Sequence, residues 1–151
     1  MSLVKNDKKY NGLVKDMNSF AKFIYIYESQ IKALNSFDDF SHHFSEASNI
    51  FIHSIRHYIR YASIDDLNNK KEKVLVEKGK QTLFFTKSKV QVIDFCRHLR
   101  NSFCHALLNK DANALSVPDC KGKTVTSKGH IEYSLIKKFI AALVHEYESK
   151  Y

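Results

Sequence analysis

The sequence is poor in backbone punctuation, with 4 glycines and 1 proline among 151 residues. An all-β sandwich needs a turn signal every ~8–12 residues, so this scarcity argues against one and favours long helices. The same counts exclude collagen-like and low-complexity classes. Cysteine is also sparse. Cys96, Cys104 and Cys120 form no C-x-x-C pair, and an odd number leaves one thiol unpaired in any monomeric scheme. That suits a reducing compartment better than a secreted disulfide scaffold. Long apolar runs are missing as well. The stretch from Phe139 to Val144 falls far short of the ~18 residues a membrane span requires, and residues 1–9 hold no signal-like apolar segment. The expectation is a cytoplasmic protein with no membrane partner.

What is present is a globular composition, 44% hydrophobic and 26% charged, too apolar for a disordered chain. The length fits one domain spanning 1–151. Lys and Arg number 24 against 16 Asp and Glu, a formal net charge of +8. An excess of this size attracts polyanions and raises their encounter rate, so RNA is the first partner to consider. The plainer reading is a solubilising surface.

Hydrophobic spacing organises the chain. After a polar stretch over 1–18, Phe20, Phe23, Tyr27, Ile31 and Leu34 recur at steps of three and four, one stripe of an amphipathic helix. Phe37, Phe40, Phe44, Ala47, Phe51, Ile55, Tyr58 and Ala62 predict a second helix, with Ser36 and Asp39 as a capping-box-like start. Residues 63–89 read as a lysine-rich connector with one or two short helices. Ser88 to Gln91 forms a further capping box, and Val92, Cys96, Leu99, Phe103 and Ala106 predict a third long helix to about Leu108. Pro118-Asp119 and Lys121-Gly122-Lys123 mark turns between Ala114–Val117 and Thr124–Thr126, which predicts a short β-hairpin. Ile136, Ile140, Leu143 and Tyr147 mark the last helix. The expected fold is all-α, an up-down bundle of four to five helices with a short β-hairpin inserted before the last one.

The third helix carries the unusual residues. Opposite its apolar stripe lie Asp94, Arg97, His98, Asn101 and His105, with Arg100 on the flank. Steps of three and four bring these to one azimuth. An ordinary wet surface shows mixed Lys and Glu, whereas Arg, His and Asn have planar heads suited to phosphate binding and proton transfer. The run Leu99-Arg100-Asn101-Ser102-Phe103-Cys104-His105-Ala106 resembles the signature of the HEPN superfamily, in which Arg is followed after four to six residues by His, commonly with a polar residue directly after the Arg. The resemblance extends loosely from about Phe20 to Tyr151.

The resemblance implies a HEPN-type bundle, and a metal-independent endoribonuclease acting as a homodimer in toxin or phage-defence biology, with no cofactor. Arg100 would clamp the phosphate and His105 would transfer protons. Asn101 would orient the imidazole or donate to a phosphate oxygen. The chemistry of the residues agrees, because His titrates nearest neutral pH and a guanidinium supplies a fixed cation where charge builds on phosphorus. Arg97, His98, Lys121 and Lys123 would bind RNA, with further phosphate contacts from lysines between Lys70 and Lys89 and from Lys128. Some HEPN sites add an acidic residue, for which Glu46 and Asp94 are candidates. Many HEPN domains are inactive, so the alternatives are a silent RNA- or nucleotide-binding module, or a helical partner protein within a toxin–antitoxin pair, an antitoxin protein being a candidate partner.

Other signals are weaker. His53 and His57 stand one turn apart but lack the Glu of a zincin motif, and read as partly exposed histidines. Cys96 falls on the apolar stripe. Cys104 and His105 diverge by ~100° on a helix and cannot act as a nucleophile pair.

Overall fold

In the computed structural model, which describes residues 13–68, 81–105 and 107–150, the first helix α1 (Met17–Ile26) runs on into a wider π turn over Tyr27–Ile31. Phe20, Phe23, Ile26, Tyr27 and Ile31 are buried, the stripe its spacing predicts. Ser36 caps α2 (Phe37–His43), its hydroxyl accepting from the Asp39 amide at 3.0 Å. The helix then breaks at Phe44, whose φ of −138° and ψ of 70° are not helical. It resumes as α3 (Ser45–Ile50), continued by single turns over Phe51–Ile55 and Arg56–Tyr58. The Glu146 carboxylate accepts from the amides of Glu46 and Ala47 at 2.9 and 3.2 Å, which satisfies donors that a restarted helix leaves open.

The expected all-helical bundle is not what forms. The chain builds a six-stranded mixed sheet against the helices. Its strands are β1 (Ile59–Tyr61), β2 (Thr82–Phe85), β3 (Asn109–Asp111), β4 (Ala114–Ser116), β5 (Asp119–Lys121) and β6 (Thr124–Glu132). The order is β1-β2-β6-β4-β3, with β5 also on β6. β1 and β2 are parallel, and the other pairings are antiparallel. The helix expected to reach Ala62 therefore ends early, because Ile59, Arg60 and Tyr61 pair with Leu83, Phe84 and Phe85. A parallel pair needs a crossover. Here it includes α4 (Ile64–Asn68), a short helix as expected of the connector over 63–89, but that stretch also holds the strand β2, which was not expected. Lys70, Lys71, Lys73, Lys78 and Lys80 lie outside the described residues, as do residues 1–12.

The predicted hairpin is also revised. The Lys121-Gly122-Lys123 turn exists, with Gly122 at φ +64°, but it joins β5 to β6. The segment from Ala114 pairs with the far end of β6, Ala114 opposite Glu132, and with β3. The β4 and β5 strands thus share one edge of β6, separated by Val117 and Pro118.

The core lies between sheet and helices. Ile59, Leu83, Phe85, Leu115, Val117 and Ile131 from the sheet side join Phe40, Phe51, Phe95 and Phe139 in one buried cluster. Phe95 packs edge-on against Phe139 at 5.5 Å, and Phe20 stacks on Phe103 at 4.9 Å. These ring pairs add to the area they bury. The last helix, α6 (Tyr133–Lys150), buries Ile136, Phe139, Ile140 and Leu143. Among the described residues, no helix is long and apolar enough to cross a membrane.

Candidate functional site

The motif helix is α5 (Gln91–Cys104). Its expected capping box is absent, since Val90 is the N-cap and makes no side-chain cap bond. The Asp94 carboxylate reaches back instead and accepts from the amides of Ser88 and Lys89, each at 3.0 Å. A carboxylate in the first turn satisfies open donors and suits the helix dipole.

The polar side of α5 is a covered seam and not a wet surface. Asp94 and His98 have no exposed surface. The covering comes from the sheet that composition disfavoured. Phe85 of β2 packs on the His98 ring at 5.0 Å, and Asp119 at the start of β5 meets the same imidazole. His98, expected to touch RNA, is therefore shielded from solvent.

Hydrogen bonds make the seam continuous. His98 Nδ1 donates to Asp119 Oδ2 at 2.9 Å, and Asn101 Nδ2 donates to the same oxygen at 3.1 Å. The other oxygen, Oδ1, accepts from the Cys120 amide at 2.8 Å. A buried carboxylate requires such donors to offset its lost hydration. Arg97 lies between Asp94 Oδ1, at 3.4 Å, and His98 Nε2, at 3.3 Å. Arg has no lone pair to offer, so Nε2 is the acceptor and the ring proton resides on Nδ1. Arg100 repeats the pattern. Its Nη1 donates to Asn101 Oδ1 at 2.8 Å, while Nη2 pairs with Glu28 Oε1 at 2.7 Å. Each arginine is thus held between a carboxylate and a neighbouring polar side chain. Both are about one-third exposed.

His105 stands at the C-cap of α5, exposed, with its amide bonded to the Asn101 carbonyl at 2.9 Å. Asn101 does not orient this imidazole, because its amide group is directed at Asp119 and Arg100. Lys121 and Lys123 are exposed on either side of Gly122, on the hairpin that Asp119 begins.

Two acids on the seam were not identified from sequence. Glu28 looks like any polar position on the first predicted helix, and Asp119 reads as a turn residue after Pro118. Of the acids considered, Asp94 is part of the seam. Glu46 is exposed, and its amide contacts Glu146 on α6. His53 and His57 are exposed, Cys96 is buried, and Cys104 and Cys120 are exposed free thiols. Burial holds the Cys96 thiol well above its ordinary range. Among the described residues, no three His, Cys, Asp or Glu side chains group to hold a metal ion.

Titration reflects the same contacts. The hydrogen bond from Lys32 and the charge of Arg100 hold the Glu28 carboxyl below its usual range. Tyr61 is pushed up to about 12 by burial and by the Asp94 carboxylate. A lowered carboxyl stabilises the fold above the unfolded-state pKa and loses that contribution as pH falls through the folded one. The stability difference between wild type and Glu28→Gln is therefore expected to be present at pH 6 and to shrink as pH falls below the ordinary carboxylate range, read as thermal midpoints in a pH series. A constant difference would show that the charge of Glu28 contributes nothing.

No protein-family model, curated protein or solved structure matches the chain.

Proposed function

We propose that the chain is a metal-independent endoribonuclease, with Arg100 as the phosphate clamp and His105 as the proton-transfer group. The observation that carries this reading is the contrast between the two. Arg100 is fixed in place by Glu28 and Asn101, while His105, at the end of the same helix, is exposed and free to meet a substrate. A preset guanidinium costs no reorganisation when charge builds on phosphorus. The reaction needs the 2′-OH proton removed as that oxygen attacks phosphorus. It also needs the departing 5′-oxygen protonated as its P–O bond breaks. One chain offers one motif imidazole for these two transfers. A homodimer would supply the second, and C2 symmetry would place both across one cleft. A role in toxin or phage-defence biology, possession of an antitoxin partner and residence in the cytoplasm belong to the same proposal.

The test is cleavage of single-stranded RNA in EDTA by wild type and by His105→Ala. Binding without cleavage would leave a silent RNA-binding module, a reading favoured by the carboxylate already paired with each arginine. A strict monomer in sedimentation equilibrium at micromolar concentration would count against the composite site.

Lys121 and Lys123 flank the turn beside this seam and are expected to contact phosphates, not bases. Removing both should weaken binding to all RNA sequences alike. The slope of log affinity against log salt should become shallower by about 1.4, given roughly 0.7 per phosphate contact on a single strand. An unchanged slope would remove them from the interface.

A further inference from the structure

Among the described residues, Asp119 is the acid that joins both polar side chains behind the arginines, His98 and Asn101. Its Oδ1 is committed to the Cys120 amide at 2.8 Å, so only Oδ2 faces α5. That atom can only accept, and the Asn101 side chain turns its Nδ2 toward it at 3.1 Å. An amide has its donor and acceptor on opposite arms. Pointing Nδ2 at Asp119 therefore turns Oδ1 outward, where it accepts from Arg100 Nη1 at 2.8 Å. With the amide reversed, an NH2 group would face the guanidinium, donor against donor.

We propose that Asp119 is a positioning residue for Arg100, acting through the orientation it imposes on the Asn101 amide. Its value to catalysis rests on the ribonuclease reading, but its effect on Arg100 does not. The competing view is that Asp119 merely ties β5 to α5 through His98. The two views part at Arg100, which Asp119 does not touch.

The Asp119→Asn substitution keeps shape, and with its remaining oxygen held by the Cys120 amide it turns an NH2 group toward α5 where an accepting oxygen stood. The Asn101 amide should then reverse and lose Arg100. Adding Asn101→Asp restores polarity, because the carboxylate at position 101 accepts both from the new amide and from Arg100. The conflict with His98 Nδ1–H is the same in the single and the double variant, so recovery between them reports the Asn101–Arg100 link alone. The first readout is NMR of the Arg100 guanidinium, whose Nη protons should be resolved in wild type, averaged in Asp119→Asn, and resolved again in the double variant. The second is RNA cleavage, where kcat should fall at least about 10-fold in Asp119→Asn with a smaller change in KM, and recover in the double variant. If Asp119→Asn does not fold, Asp119→Ala removes the orienting oxygen without adding a donor, and partial averaging of the Arg100 signals is expected as the Asn101 amide takes both orientations. Arg100 signals unchanged in these variants would overturn the proposal. Signals that change and recover in a protein that never cleaves RNA would uphold the positioning and refute the ribonuclease reading.

Discussion

Replacing His105 by Ala is expected to lower the rate of RNA cleavage by about 100-fold or more, the usual loss for an acid or base group. The change should leave folding almost untouched. His105 is exposed at the end of α5, and its backbone amide, not its ring, makes the bond to Asn101. Removing an exposed side chain opens no cavity, so stability should stay within about 0.5 kcal/mol of wild type. Cleavage at the wild-type rate by His105→Ala would refute the assignment.

Arg100 needs a different control. Its removal takes from Glu28 and from Asn101 Oδ1 the partner they share, a small expected loss of stability for an ion pair that solvent screens. A lost rate in Arg100→Ala would therefore mix a small stability effect with chemistry. Arg100→Lys keeps the charge and removes the forked geometry. A large rate loss in both, with thermal midpoints near wild type, would identify the fork itself as the contribution.

The polar seam explains why some of this was legible and some was not. Steps of three and four placed Asp94, Arg97, His98, Asn101 and His105 on one side of the predicted helix; Asp94, Arg97, His98 and Asn101 do line one seam of α5, whereas His105 lies beyond its last turn, exposed. The seam's burial was not legible, because the residues that cover it come from distant elements: Glu28 from the π turn after α1, Phe85 from β2 and Asp119 from β5. The sheet escaped for a related reason. The strands β1, β3, β4 and β5 have three residues each, too short for an alternating pattern to register. The β1 strand also follows directly on the Phe51, Ile55, Tyr58 rhythm, which carries the helical reading past its true end. In β6 the inward positions include Ser127 and Gly129 in place of large apolar residues. Buried Ser127 is accommodated because its hydroxyl donates to the Val117 carbonyl at 2.7 Å, a contact no local pattern announces.

The second large effect is expected at Gly129, and it concerns the sheet that covers the site. Gly129 has φ +113°, a conformation that L side chains rarely adopt. It is gripped on both edges of β6: Leu83 of β2 is its partner on one side, and its carbonyl accepts from the Val117 amide at 3.1 Å on the other. A Cβ at this position would stand 2.2 Å from the Thr82 carbonyl oxygen. That is backbone, so relief requires β2 to move, together with the Phe85 that packs on His98. Backbone strain alone costs about 1–3 kcal/mol, and displacing a packed strand adds to it. Gly129→Ala should therefore lose at least about 2 kcal/mol, roughly 4–8 °C in thermal midpoint for a chain of this size. Gly122→Ala is the matched control. It also has positive φ, +64°, but a Cβ there meets nothing within 4 Å, so only the left-handed penalty of about 1–2 kcal/mol applies. Urea unfolding of the two variants separates the terms. If Gly129→Ala proves no more costly than Gly122→Ala, the close approach of β2 to β6 is not what requires glycine at position 129.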